Sequence, residues 1–223
     1  MNSADTANPP SSDTRANARE QLLAAASDLM RERDSLDISL IDLARRAQVN
    51  SALVKYYFGN KHGLLTALLD RDLSMAIEQL RALVARDIPP SQKMRLHLAG
   101  LVKMYFRFPY LNRLLMATIR DGTKERGETI ASRFLAPIYE AYATLLAEGV
   151  ALGEFRPVDP KFFYFTVIGA CDQIFSARAV LRFVHGAGEV DDDLRRAYTQ
   201  HTTEMIMAGL AAPGVPAMAS PLA

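Results

Sequence analysis

Apolar residues recur at three- and four-residue spacings along most of this chain, and no stretch alternates with a period of two. Leu22, Leu23, Ala26, Leu29 and Met30 predict a first helix from about Arg15 to Arg33, followed by two short helices and a longer one. From Asn60, the stripe Leu64, Leu65, Leu68, Leu69, Leu73, Ile77, Leu80 and Val84 runs to the Pro89 and Pro90 pair, which no helix continues through. Further helices are predicted over Ser91 to Phe108, Pro109 to Asp121, about Glu128 to Leu152, Pro160 to about Phe183, and about Asp192 to Leu210. Pro109 stands at an N1-like position, and Pro137 is expected to kink its helix. Gly153, Pro157, Gly186 and Gly188 mark the last two turns. With no Asn-Gly hairpin signal, the fold class is all-α.

The segment from Ser39 to Phe58 carries more than periodicity. Ser39 is a good cap for a helix beginning at about Leu40, and Asp42, three residues on, makes a capping-box-like pair. Leu43, Ala44 and Ala47 share a face, small enough at the alanines for a second helix to approach closely. Val49 fills the corner. Asn50 then caps a helix that buries Val54 and Phe58 and turns Ser51, Ala52, Lys55 and Tyr56 outward. A helix lying in a DNA major groove needs this arrangement, with a packed back and an exposed first turn. A generic pair of short helices has the same spacing, so spacing alone leaves both readings open. Gln48 stands where such turns often place glycine to reach positive φ, at a cost of roughly 1 kcal/mol for a side chain.

Charge agrees locally rather than globally. The chain has a formal net charge of +1, but between Ser39 and His62 the basic Arg45, Arg46, Lys55 and Lys61 face Asp42 alone. With 49% apolar residues there is material for a large core, and no apolar run is long enough to span a membrane. The N-terminus lacks the basic-then-apolar profile of a secretory signal, so a cytoplasmic location is expected. The single cysteine, Cys171, excludes an intrachain disulfide and a multi-cysteine zinc site. It lies in an apolar run, a poor setting for a thiolate. His62, His97, His185 and His201 form no close pair at ligand spacing, and Asp191, Asp192 and Asp193 suit a helix start better than a metal. No enzyme activity, cofactor or metal is expected.

The run Leu43, Ala44, Arg45, Arg46, Ala47, Gln48, Val49, Asn50, then Leu53, Val54, Lys55, Tyr56, Tyr57, Phe58, Gly59, Asn60, Lys61, then Leu64 and Leu65, resembles the TetR family of bacterial transcriptional regulators. The resemblance covers roughly residues 15 to 70. It implies an N-terminal three-helix, helix-turn-helix DNA-binding domain over 15 to 62, with a linking helix continuing to about 86. A helical effector-binding and dimerisation domain would occupy 63 to 211, between tails at 1 to 14 and 212 to 223 too polar or irregular to fold.

By the same resemblance, Ser51, Ala52, Lys55 and Tyr56 read bases. Lys55 is suited to guanine O6 and N7, and Ala52 to a thymine methyl. Ser39, Tyr57, Asn60 and Lys61 are placed to meet phosphates, the last two at a helix start whose free N–H groups suit an anion. Tyr57 has core as its alternative role.

The helix after Pro160 is apolar on nearly every side and the helix from Asp192 is amphipathic; the resemblance implies that they form a homodimer interface through Phe165, Ile168, Phe175, Tyr198, Met205 and Ile206, the alternative being a larger monomer core. Tyr105, Phe108, Met116, Phe134, Ile138 and Tyr142 either line an apolar effector pocket or are plain core. Arg113 either meets an acidic ligand group or points to solvent. The function the resemblance implies is that of a repressor released from a near-palindromic, double-stranded operator by a small, largely apolar effector. The alternative is an architectural or protein-partner role with no effector.

Overall fold

The structure is a computed structural model that describes residues 12–186 and 190–214. Its helices are α1 (Ser12–Arg33), α2 (Leu40–Arg46), α3 (Ser51–Phe58), α4 (Lys61–Val84), α5 (Pro90–Arg107), α6 (Leu111–Arg120), α7 (Lys124–Ile130), α8 (Ala136–Ala151), α9 (Pro160–Ser176), α10 (Arg178–His185) and α11 (Asp192–Leu210). Among the described residues the β pairing is a single bridge, Phe155 to Ala211. The all-α class therefore holds, and no described helix is long and apolar enough to cross a membrane. Contacts group the chain into two units, 1–68 and 69–223, the division falling inside α4.

In the first unit, Leu22, Leu23, Ala26, Leu29 and Met30 of α1 are buried with Ile38, Leu43, Ala44, Val54, Phe58, Leu64 and Leu68. Apart from Ile38, which lies in the loop before α2, these are predicted stripe residues, and hydrophobic burial is what holds helices as short as α2 and α3, which are marginal alone. Residues 12 to 14, expected in a tail, lie inside α1, since no helix breaker follows Pro10. The rest of that tail, and residues 215 to 223 of the other, lie outside the described residues.

The second unit is built around α5, which packs against α8, α9 and α11. Met94, Leu98 and Val102 meet Tyr142, Leu145, Leu146, Phe163, Val167, Cys171 and Phe175, with Met207 and Leu210 closing the core. Lys93, its side chain buried, donates to the Val84 carbonyl at 2.9 Å and to Glu148 Oε1 at 2.8 Å. It thereby caps the end of α4 and keeps a charge paired that would be costly alone. Burial raises the Cys171 thiol to about 12, consistent with a plain apolar role.

Three predicted helices differ in detail. The one expected from Pro109 begins at Leu111, with Pro109 in the turn before it. The one expected from Glu128 begins at Lys124, where Thr123 Oγ1 accepts from the Arg126 N–H. Where a kink is expected the structure has a π-helical turn, Ala131–Leu135, in which the Ala136 N–H donates to the Ala131 carbonyl. Pro137 supplies no N–H and crowds the carbonyl four residues back, and the wider turn accommodates it. The helix expected from Pro160 to Phe183 breaks at Ala177 (φ −108°, ψ 36°). Beyond it α10 buries none of its residues, so no packing extends the α9 register.

Candidate nucleic-acid interface

The interface candidates lie on α2, α3 and the start of α4. Ser39 Oγ accepts from the Asp42 N–H at 3.0 Å, and Asn50 Oδ1 accepts from the Ala52 N–H at 2.8 Å, so both predicted caps form. The Asp42 carboxylate is taken by Arg33 at 2.9 Å and Arg45 at 3.3 Å rather than completing a capping box. The Arg33 hydrogen bond, then that of Ser39, holds the Asp42 carboxyl below its usual range. Between α2 and α3 the chain makes a Schellman turn: Gln48 N–H donates to Arg45 O at 3.2 Å and Val49 N–H to Ala44 O at 3.0 Å. Gln48 occupies the left-handed position of that turn at φ 54°, the strain expected from its sequence position.

On α3, Val54 and Phe58 are buried while Ser51, Ala52, Lys55 and Tyr56 are exposed, Tyr56 at 69%. The four candidate base readers thus share the open side of one short helix. Tyr57 is half-buried, edge-on to Tyr56 with ring centroids 5.1 Å apart, and Arg19 lies over the Phe58 ring at 5.7 Å. Asn60 Oδ1 accepts from the Gly63 N–H at 3.0 Å, so its oxygen is committed to capping α4. Lys61 Nζ is 2.6 Å from Asp37 Oδ1. That pair is exposed and Asp37, held below its usual range by the Lys61 hydrogen bond, is a solvent-facing carboxylate among the candidate phosphate contacts.

Gly63 escaped the sequence reading. A Cβ there would lie 2.0 Å from the Phe58 carbonyl oxygen, so only glycine lets α4 start this close to the end of α3. Its sole trace in the sequence is its place three residues after the cap Asn60, within a Leu-rich helix. Asp37 was missed because it lies far from Lys61 in sequence.

The candidate dimer residues separate. Phe165 and Met205 are 68% and 65% exposed, and Tyr198 and Ile206 are half-buried. Phe175, at 1%, and Ile168 are spent in the chain's own core and have no surface to offer a partner. A helix that is apolar all round buries one side in its own protomer, and the sequence does not say which. The candidate effector residues separate too. Tyr105 and Tyr142 are buried in the α5 core with Ile138 packed on it; Phe134 is buried outside that cluster; Met116 is exposed. Phe108 lies edge-on to Tyr110 at 6.2 Å, and Arg113 is half-buried. Tyr142 Oη is 2.8 Å from His97 Nε2, a pairing that spacing did not reveal. Among the described residues no group of His, Cys, Asp and Glu is placed to hold a metal.

Comparison with known proteins agrees with this architecture. Residues 22–68 match the bacterial regulatory proteins of the tetR family, and residues 87–215 match the tetracyclin repressor-like C-terminal domain. The chain belongs to the TetR family of bacterial regulatory proteins. The HTH-type transcriptional regulator BetI of Brucella suis is 38% identical over 71 residues, covering 29% of this chain and 36% of the relative. The chain therefore matches about a third of the length of that curated relative. A TetR/AcrR-family regulator from Thermobifida fusca superposes with a TM-score of 0.63 at 24% identity, over 86% of this chain and 98% of that one. FadR of Bacillus subtilis, solved in complex with stearoyl-CoA, superposes with a TM-score of 0.60 at 19% identity, over 85% and 98%. At these identities the likeness is one of fold.

Proposed function

We propose that this chain is a homodimeric repressor that binds a near-palindromic operator through α3 and leaves it when a small, largely apolar effector binds the helical C-terminal part. The DNA-binding domain is assigned to 15–62 and the effector and dimer domain to 63–211, acting in the cytoplasm. The observation that carries the reading is the exposed set Ser51, Ala52, Lys55 and Tyr56, backed by the Schellman turn and the buried Val54 and Phe58. Those four are the base contacts, and Ser39, Tyr57, Asn60 and Lys61, the last two at the capped start of α4, the phosphate contacts. A two-fold axis would set the two α3 helices roughly 34 Å apart or a multiple of that, matching successive turns of DNA.

Dimerisation is supported by large exposed apolar side chains on α9 and α11, Phe162, Phe165 and Met205, which a second copy would cover. Effector control is supported by the C-terminal family match and by a fold neighbour whose structure holds stearoyl-CoA. The effector acts by binding more tightly to a dimer whose α3 helices no longer fit successive grooves.

Selection of bound DNA from a random-sequence pool at near-physiological salt tests the reading. An enriched palindrome, released by a member of a ligand panel, is the expected result. Binding without enrichment from an intact dimer would overturn it and favour the architectural role.

A further inference from the structure

Asp172 sits on α9 with 4% of its surface exposed, on the side of the helix that packs into the core. Asn112 Nδ2 of α6 donates to its Oδ2 at 3.0 Å. Its Oδ1 is sealed from solvent with no hydrogen-bond partner among the described residues. A carboxylate oxygen closed off without a donor is costly, because the water it lost has not been replaced. Burial raises the Asp172 carboxyl, and the opposing hydrogen bonds from Asn112 and Ser176 and the attraction of Arg113 do not cancel that rise. Oδ1 is thus the one Asp172 oxygen left with an unmet demand for a donor.

Its surroundings are aromatic. Burial first, and the Asp172 charge second, raise the Tyr105 phenol on α5; on α11, Tyr198 is raised chiefly by burial, with Asp172 contributing. Phe175, one turn on from Asp172, lies edge-on to Phe106 at 6.0 Å and to Tyr198 at 6.2 Å. A lone carboxylate oxygen beside aromatic rings is the chemistry that receives an organic cation bearing N–H donors: the anion takes the hydrogen bond and ring faces take the charge and the alkyl part. Five residues after Asp172 the helix breaks at Ala177, and α10, which buries none of its residues, begins. The end of α9 nearest Asp172 is thus followed by a helix that buries none of its residues.

We propose that Asp172 is the polar anchor of the effector site and that the effector is an apolar primary or secondary amine, bound as its ammonium. The inference rests on the effector-controlled reading above and names the ligand class for it. The Asp172 Oδ1 accepts from the ammonium, Asn112 holds the other oxygen, and Phe106, Phe175 and Tyr198 meet the apolar part.

Isothermal titration and thermal shift with octylamine and 2-phenylethylamine, against octanoate and 3-phenylpropanoate, test it on the full chain and on Asp172→Asn. That variant keeps an oxygen for Asn112 to donate to and removes the charge. The amines are expected to bind and stabilise the native chain, and to bind the variant about tenfold more weakly or worse, the factor a charge-assisted hydrogen bond contributes. Without ligand the variant is expected to melt no lower than the native chain, since it loses an uncompensated buried charge; a purely structural aspartate would melt lower. Preference for the acids, equal amine binding by the variant, or no amine binding overturns the proposal. Release of the selected operator by a ligand of another class, with the amines inert, overturns this inference while leaving effector control standing. No release by any member of a broad panel removes effector control itself.

Discussion

Lys61 Nζ and Asp37 Oδ1 stand 2.6 Å apart, joining the first residue of α4 to the loop before α2. The ammonium proposed to meet a DNA phosphate is therefore already engaged by a carboxylate that occupies the place of an anion. If Lys61 meets a phosphate as proposed, DNA must displace Asp37, whose carboxylate would repel the incoming backbone. Asp37→Asn is expected to tighten binding to operator and random DNA alike by about two- to fivefold, the scale of an exposed ion pair. Lys61→Ala is expected to weaken both and to flatten the salt dependence by about one counterion. Fluorescence anisotropy at several salt concentrations reads both. Weaker binding by Asp37→Asn would show that the pair orders the site instead of competing for it.

Lys55 and Tyr56 are exposed on α3, whereas the side chains of Ser39, Asn50 and Asn60 are engaged with backbone N–H groups, so loss of Lys55 or Tyr56 should change preference and not only affinity. Lys55→Ala is expected to reduce the ratio of operator to random binding by about tenfold, within the 1 to 3 kcal/mol of a good base contact. Equal losses on both DNAs would place Lys55 on the backbone.

Gly63 lets the Phe58 carbonyl approach where a Cβ would lie 2.0 Å away. Because the obstacle is backbone, Gly63→Ala must shift the start of α4 against α3. About 1 to 3 kcal/mol of stability should be lost, with DNA affinity falling further than the loss of folded protein explains. Urea denaturation and anisotropy on the same sample separate the two effects.

Gln48 holds the left-handed position of the Schellman turn at φ 54°. Gln48→Val should cost roughly 1 to 2 kcal/mol, since branching at Cβ worsens the crowding, whereas Gln48→Gly should not destabilise. Thermal denaturation of the two variants checks the sign.

His97 is buried against Tyr142, and burial lowers its imidazole to about 4 while holding the Tyr142 phenol protonated. The pair is neutral at pH 7. In the unfolded chain the imidazole titrates near 6.5, so unfolded protein takes up the proton first as pH falls. Stability is complete above pH 6.5 and declines toward pH 4, by roughly 3 kcal/mol at most. His97→Gln should show a shallower decline in urea midpoints between pH 7 and 4.5; an unchanged slope would assign the acid sensitivity elsewhere.

What could be read from the chain were features encoded within a few residues of one another. Helical stripes, the caps Ser39 and Asn50, the small Ala44, the strained Gln48 and the outward Lys55 and Tyr56 all follow from periods and offsets along one helix. α11 has the predicted bounds because Asp191 caps its start and its apolar stripe ends at Leu210. Tertiary structure decided which side of an all-round apolar helix faces the core, giving Phe175 and Ile168 to the interior and Phe165 to the surface. It also decided the break at Ala177 and the pairing of residues remote in sequence: Lys61 with Asp37, His97 with Tyr142, Asn112 with Asp172. The reason is physical: a side chain's period is fixed by its own helix, whereas its partner and its share of solvent are fixed by whichever other helices pack against it.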